Sequence, residues 1–128
     1  MSFIHLHVAS AYSLKYGTTQ PADLVNRARE FNMPALAITD RDGLAGAIRF
    51  AQSCVAQGIA PIIGVDLAIK LPGFVGKKLP RLTLLANGDG GWRSLCRFMT
   101  SLNLNAADRT PVITLELLER FSEYSLGL

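Results

Sequence analysis

The stretch Ala35-Leu36-Ala37-Ile38-Thr39-Asp40-Arg41-Asp42-Gly43 joins an apolar run to a polar turn. Its first four residues are wholly apolar, which is typical of a strand with both faces buried, as in a parallel sheet. The segments on either side, 21–31 and 44–55, repeat apolar residues at helical spacing. Asp42 is a candidate N-cap for the second helix, and Gly58 is expected to end it. The stretch therefore predicts a strand between two helices, a unit of α/β folds.

The same reading extends outward along the chain. Further strands are predicted over 3–8, 61–69 and 82–86 and at the start of 124–128, with further helices over 92–102 and 115–121. The order β-α-β-α-β-β-α-α-β favours an α/β fold with a mainly parallel sheet. A closed barrel and an open sheet both fit this order.

Length and composition narrow the class of protein. The 128 residues are 49% hydrophobic with a net charge of +3, which suits one domain and is too mild to indicate nucleic-acid binding. No apolar run approaches the ~20 residues that span a bilayer, and the N-terminus has no secretory signal, so a cytoplasmic location without membrane contact is expected. Basic residues cluster in one Gly/Pro-rich stretch, which indicates either a solvated loop or a phosphate contact; they are Lys70, Lys77, Lys78 and Arg81.

The run Phe3-Ile4-His5-Leu6-His7-Val8 alternates in polarity and contains both histidines of the chain. On a strand, His5 and His7 would lie on one face, close enough to bind one ion, while Leu6 and Val8 would pack on the other. Imidazole nitrogens are common ligands of zinc and similar ions. Two ligands do not make a site, so other residues must contribute.

Carboxylates are predicted near the ends of the next two strands. Asp40 ends the strand at 35–40, and Asp66 lies late in the strand at 61–69. The carboxyl ends of parallel strands share one rim, where chemistry collects in α/β folds. His5, His7, Asp40 and Asp66 are therefore expected to be able to meet in space.

Several motifs together resemble a known family. They are His-Leu-His-Val-Ala-Ser-Ala-Tyr-Ser-Leu at 5–14, Ala-Leu-Ala-Ile-Thr-Asp-Arg-Asp-Gly at 35–43, Gly-Ile-Ala-Pro-Ile-Ile-Gly-Val-Asp at 58–66 and Leu-Thr-Leu-Leu-Ala-Asn at 82–87. In order and spacing they resemble the N-terminal PHP (polymerase and histidinol phosphatase) domain of bacterial DNA polymerase III alpha subunits. Thr-Asp-Arg-Asp-Gly is more similar to the error-prone alpha subunits than to the main replicative ones. The resemblance covers 1–128, read as the N-terminal portion of a single, incomplete domain.

The resemblance implies a fold and a parent protein. The fold would be part of a distorted (β/α)7 barrel with a mainly parallel sheet, truncated at the C-terminus, with metal ions bound at the carboxyl ends of the strands. The parent would carry out template-directed DNA synthesis in replication or damage-tolerant repair, using Mg²⁺ outside this segment. The implied partners are the remainder of the alpha chain, DNA through the parent, and other replisome or repair subunits.

Residue by residue, the resemblance implies a degenerate metal site. His5 and His7 match the first ligand pair, but one family aspartate falls on Tyr16 and one family histidine falls on Arg41, which stays protonated. Asp66 replaces a glutamate and reaches one methylene less far. We therefore expect His5, His7 and Asp66 to hold zinc or manganese weakly or not at all. Arg41 is expected to form a salt bridge with Asp40 or Asp66 in place of the metal.

Two functions remain open from the sequence. The first is a structural or docking module of a polymerase, with no catalytic residue in this segment. The alternative is a metal-dependent phosphoesterase or 3′–5′ exonuclease of the PHP family, which needs a metal cluster that generates hydroxide. Whether this segment is itself an enzyme therefore stays undecided.

Overall fold

The computed structural model describes residues 3–105, 110–122 and 126–127. Within these ranges the chain forms four helices and five strands. In chain order they are α1 (Pro21–Glu30), β1 (Ala35–Arg41), α2 (Ala47–Gln57), β2 (Ala60–Lys70), β3 (Arg81–Ala86), α3 (Gly88–Asn105), β4 (Val112–Thr114), α4 (Leu115–Ser122) and β5 (Leu126–Gly127). Of the predicted last strand, 124, 125 and 128 lie outside the described residues.

The sheet is built around β2. β1 pairs with it in parallel, β3 pairs with it antiparallel, and β4 pairs in parallel with its last residues. Ala68 pairs with both Arg81 and Val112, so β3 and β4 lie on opposite edges of β2. β5 is antiparallel to β3, so only β3 of the five described strands runs against the others. The predicted α/β class with a mainly parallel sheet is confirmed.

Two apolar clusters pack the helices on the sheet. One joins α1 and α2 to β1, and its buried residues are Val25, Ala28, Leu36, Ile38, Phe50, Cys54 and Ile59. The other joins α3 to β2 and β3 around Val65, Leu67 and Leu84. The predicted helix ends agree with the structure, since α1 begins at Pro21 and α2 ends before Gly58, which has a left-handed φ of 72°.

The predicted N-cap at Asp42 is wrong. The residue before α2 is Gly46, with no side-chain cap, and Asp42 lies four residues earlier with a φ of 61°. Its carboxylate accepts a hydrogen bond from Arg81 instead of capping the helix. A polar residue ahead of an apolar helical pattern indicates roughly where the helix begins. The turn between them determines which residue occupies the N-cap position.

The predicted strand over 3–8 is an irregular segment with a bend at Leu6 and without regular strand pairing. The backbone N–H groups of Ala37 and Thr39 donate to His5 O and Val8 O, at 3.1 and 2.8 Å. Three residue steps on this segment thus match two on β1, which breaks the ladder as a bulge does. The predicted packing of Leu6 is wrong, because it is 48% exposed. Val8 does pack against the α1–α2 cluster, as predicted.

No helix in ranges 3–105 and 110–122 is both long enough and apolar enough to cross a membrane.

Gly64 allows the close approach of β3 to β2. A Cβ built at this position would lie 2.4 Å from the backbone oxygen of Leu84 and 3.0 Å from Thr39 Cγ2. We predict that Gly64→Ala lowers the free energy of unfolding by about 1–3 kcal/mol, because backbone atoms would have to move. Gly90→Ala is the control, because its Cβ would meet nothing within 4 Å, and its free energy of unfolding is expected not to fall. Urea titration of both variants measures the difference, and equal midpoints would contradict the prediction.

The two thiols differ in burial. Cys54 is 0% exposed, and burial raises its pKa to about 11, whereas Cys96 is partly exposed and burial raises its pKa less markedly. Because the thiolate is the nucleophile, both the raised pKa and the burial of the sulfur slow the reaction of Cys54. We predict that iodoacetamide modifies Cys96 in the folded protein and Cys54 only in denaturant. Mass analysis of Cys96→Ser, with Cys54→Ser as its control, tests this; rapid native labelling of Cys96→Ser would refute it.

Candidate functional site

The pairing of β1 with β2 sorts the predicted site residues onto two faces of the sheet. Arg41 lies beside Asp66, and Asp40 lies beside Val65. Successive side chains of a strand point to opposite faces, so Asp40 faces the same side as the buried Val65, while Asp66 faces the other side with Arg41. The expectation that all the predicted site residues meet at one rim is therefore wrong for Asp40.

Asp40 holds the loop that follows the N-terminal segment. Its side chain is buried and accepts three hydrogen bonds, from Ser10 N at 2.6 Å, Ser10 Oγ at 2.8 Å and Ser13 Oγ at 2.7 Å. Both serines are buried as well, and the backbone N–H of Arg41 donates to Ser13 Oγ at 2.9 Å. Three donors satisfy a buried carboxylate well, so Asp40 acts as a structural acceptor.

Asp66 is the centre of a charged network on the opposite face. Its Oδ1 accepts a hydrogen bond from Arg81 Nε at 2.7 Å, and its Oδ2 lies 3.3 Å from His7 Nε2. Arg81 Nη2 also donates to Asp42 Oδ1 at 2.9 Å. Partial burial favours the neutral form of Arg81, but the hydrogen bonds to Asp66 and Asp42 outweigh it and raise the pKa of Arg81 above its usual value. Arg81 therefore remains a cation within this network.

The predicted salt bridge of Arg41 with Asp40 or Asp66 is not formed. The Arg41 guanidinium carbon lies 3.6 Å from the centre of the Tyr16 ring, the geometry of a cation–π contact. Within the described ranges, the ion pair to Asp66 comes from Arg81 instead. Arg41 does not meet Asp40 because the two side chains face opposite sides of the sheet. It does not pair with Asp66 because its guanidinium stacks on the Tyr16 ring. Arg41 Nε is buried without a hydrogen-bond partner in the described part of the chain.

The residues present are not arranged as a ligand group for the zinc or manganese ion that the resemblance implies, within the described ranges. His5 is exposed and its ring packs edge-on against Phe3 at 4.7 Å, while its backbone oxygen bonds to β1. Both carboxylate oxygens of Asp66 are engaged by neighbouring side chains. Across the described ranges, no three His, Cys, Asp or Glu side chains are grouped to hold an ion. Only His7 and Asp66 of the predicted ligands are in contact.

Arg81 is the residue that the sequence reading missed. Its place in the basic stretch predicts the same exposed setting as Lys70, Lys77 and Lys78, which are exposed, but Arg81 begins β3 and its side chain is only 23% exposed. One signal was available: a single charged residue stands directly before the apolar run 82–86. A charged residue at the head of a strand can point into the sheet face, where it needs a partner of opposite charge.

Comparison with known proteins decides the family. A family model described as PHP domain matches residues 5–128. The chain belongs to the PHP domain family. It is 37% identical over 126 residues to a DNA polymerase III subunit alpha from Buchnera aphidicola, and 34% identical over 125 residues to an error-prone DNA polymerase from Corynebacterium efficiens. Each alignment covers 98% of this chain and 11% of the relative, so the chain spans about a tenth of their length.

Two solved structures share the fold of this PHP segment. One is assigned as a metal-dependent phosphoesterase from Bifidobacterium adolescentis, with a TM-score of 0.54 and 19% identity. The other is an amidohydrolase from Chromobacterium violaceum, with a TM-score of 0.59 and 24% identity. Each covers 79% of this chain, and this chain covers 32% and 33% of them respectively. At this identity the likeness establishes the fold, which agrees with the predicted part of a PHP barrel.

The Asp40 network makes a prediction about stability. Asp40→Ala leaves the Ser10 N–H and two buried hydroxyls without their acceptor, so we expect the free energy of unfolding to fall by about 2–4 kcal/mol. Asp40→Asn should lose less, because its amide oxygen can replace one carboxylate oxygen. Asp23→Ala removes an exposed carboxylate from the first turn of α1 and is the control, with an expected loss within about 1 kcal/mol. Thermal and urea unfolding measure all three; Asp40→Ala as stable as Asp23→Ala would overturn the prediction.

Proposed function

We propose that this chain is a structural and docking segment of a DNA polymerase III alpha-type protein, in which the PHP metal site is degenerate. Its parent would carry out template-directed DNA synthesis, in replication or in damage-tolerant repair. The relatives of both the replicative and the error-prone kind, each far longer than this chain, support that parent. The remainder of the alpha chain is the partner we propose, with DNA and other replisome or repair subunits reached through it in the cytoplasm.

One contact carries the proposal of a degenerate site. Tyr16 and Arg41, which fall where the family resemblance places an aspartate and a histidine ligand, contact each other at 3.6 Å. An aromatic ring against a guanidinium is a stable pair in its own right, and neither side chain is among the usual protein ligands of zinc. The two substitutions thus compensate for each other, as expected of a site kept for structure.

The docking part of the proposal is supported by apolar side chains at the surface. Large exposed hydrophobic residues occur at several places along the described chain, in helices and in loops, among them Phe3, Leu14, Val55, Val75 and Leu104. Exposed apolar side chains of this kind are covered where another protein surface packs on them. Because the chain spans about a tenth of its relatives' length, further polymerase sequence is the natural occupant.

The contact of His7 with Asp66 favours the second candidate, a metal-dependent phosphoesterase or 3′–5′ exonuclease. Imidazole and carboxylate 3.3 Å apart are a pair that can share one zinc or manganese ion. Hydrolysis would need this ion to generate hydroxide or polarise a phosphodiester. Arg81, already bound to Asp66, opposes the entry of a cation there.

Metal analysis and a nuclease assay distinguish the two candidates. We expect the dialysed protein to retain far less than one zinc or manganese ion per chain, and to hydrolyse neither a phosphodiester nor single-stranded DNA in added Mn²⁺ or Zn²⁺. His7→Asn/Asp66→Asn, prepared identically, is the control for contaminating nuclease. Stoichiometric metal together with turnover that this double variant loses would replace the first candidate with the second.

A further inference from the structure

The guanidinium of Arg81 is bound by three oxygen atoms at once. Nε donates to Asp66 Oδ1 at 2.7 Å, and Nη2 donates both to Asp42 Oδ1 and to the backbone oxygen of Asp66, each at 2.9 Å. The remaining carboxylate oxygen of Asp66 lies 3.3 Å from His7 Nε2. One cation therefore stands against two carboxylates, one of which also contacts an imidazole.

The fold brings these groups together from separate elements. In the β2–β3 ladder Arg81 pairs with Ala68 and Thr83 pairs with Asp66, so Arg81 is the diagonal neighbour of Asp66 on the same face. A diagonal neighbour lies about 7–8 Å away, within reach of a long side chain. Asp42 is fixed beside them because its backbone N–H donates to Asp66 O at 2.9 Å.

The donor types around Arg81 are those that bind divalent ions. Carboxylate oxygen and imidazole nitrogen suit zinc and manganese, and both a metal ion and a guanidinium need the same lone pairs of Asp66. Without a positive charge between them, Asp42 and Asp66 would repel each other in a partly buried position. A metal ion and the Arg81 guanidinium are thus alternatives, because either one neutralises the repulsion between Asp42 and Asp66.

We propose that Arg81 is the resident cation of this site, and that its guanidinium excludes a divalent ion from a latent ligand set formed by His7, Asp42 and Asp66. This rests on the proposed function, in which the PHP metal site is degenerate. It assigns the replacement of the metal to Arg81 on β3, whereas Arg41 on β1 stacks on Tyr16 and takes no part.

Removing the Arg81 charge tests the proposal. In Arg81→Met, we expect Mn²⁺ to bind at least about tenfold more tightly than in the unaltered chain, because a unit positive charge in contact with the ligands is gone. The titration follows the electron paramagnetic resonance signal of free Mn²⁺. Mn²⁺ should also raise the midpoint of thermal unfolding of this variant, and adding Asp66→Asn should abolish both gains.

Two matched variants show whether position matters as well as charge. Arg41→Met removes the same charge from the neighbouring strand, where Arg41 lies beside Asp66 without a hydrogen bond or ion pair to it, and should raise Mn²⁺ affinity far less than Arg81→Met does. Arg81→Lys keeps the charge and should gain nothing. Equal gains in Arg41→Met and Arg81→Met would contradict the proposal, since a general loss of positive charge would then explain the binding.

The proposal can still be tested if Arg81→Met fails to fold. If Arg81→Met is unfolded without metal, Mn²⁺ should restore its folded circular dichroism, and Arg81→Gln, which can still donate to Asp66, serves as the second variant. Failure of Mn²⁺ either to bind or to restore folding in both variants overturns the role of Arg81 while leaving the degenerate site intact. Stoichiometric Mn²⁺ on the unaltered chain would refute both the exclusion of the ion by Arg81 and the degenerate site of the proposed function.

Discussion

Residues 35–41 of β1 lie beside residues 60–66 of β2 in strict parallel register, from Ala35 beside Ala60 to Arg41 beside Asp66. One face of the pair carries the apolar residues that pack under α1 and α2, including Leu36, Ile38 and Ile63. The other face carries Ala37, Thr39, Gly64 and Asp66 together with Ile62, and the N-terminal segment lies along the free edge of β1. A slip of one residue would exchange the two faces, burying Asp66 under the helices. This register therefore fixes both the core and the residues that can meet at the site.

Most of the fold could be predicted because its elements have strong local patterns. Helical spacing located α1 and α2, Pro21 and Gly58 marked two of their ends, and the wholly apolar run beginning at Ala35 identified a strand buried on both faces. The N-terminal segment could not be predicted in the same way. Its alternation suits a strand, but three of its residue steps match two on β1, and nothing in its own sequence specifies that spacing.

The site could be predicted only in part, and the two errors have different causes. The separation of Asp40 from Arg41 follows from the sequence alone, because the two residues are adjacent on one strand and must face opposite sides, but placing Asp66 with Arg41 needs the register of β1 and β2. The role of Arg81 does not follow from the sequence, because it depends on the antiparallel register that makes Arg81 the diagonal neighbour of Asp66. Motif comparison examines only the positions where metal ligands are expected. It does not find a cation that reaches the same carboxylates from another strand.

A guanidinium and a metal ion can both reduce the repulsion between neighbouring carboxylates, but they differ in the chemistry that they allow. Both neutralise carboxylates held close together, and the Arg81 side chain does so with directed hydrogen bonds to Asp42 and Asp66. Its charge is covalently attached, so the arrangement around Asp66 does not depend on the concentration of free metal, as a metal-bound fold does. The same group has no open coordination position and cannot lower the pKa of a bound water, which hydrolysis by a metal site requires. A chain that places an arginine here keeps the electrostatic contribution of the cation and gives up the chemistry of a metal ion, as the proposed role of a supporting segment requires.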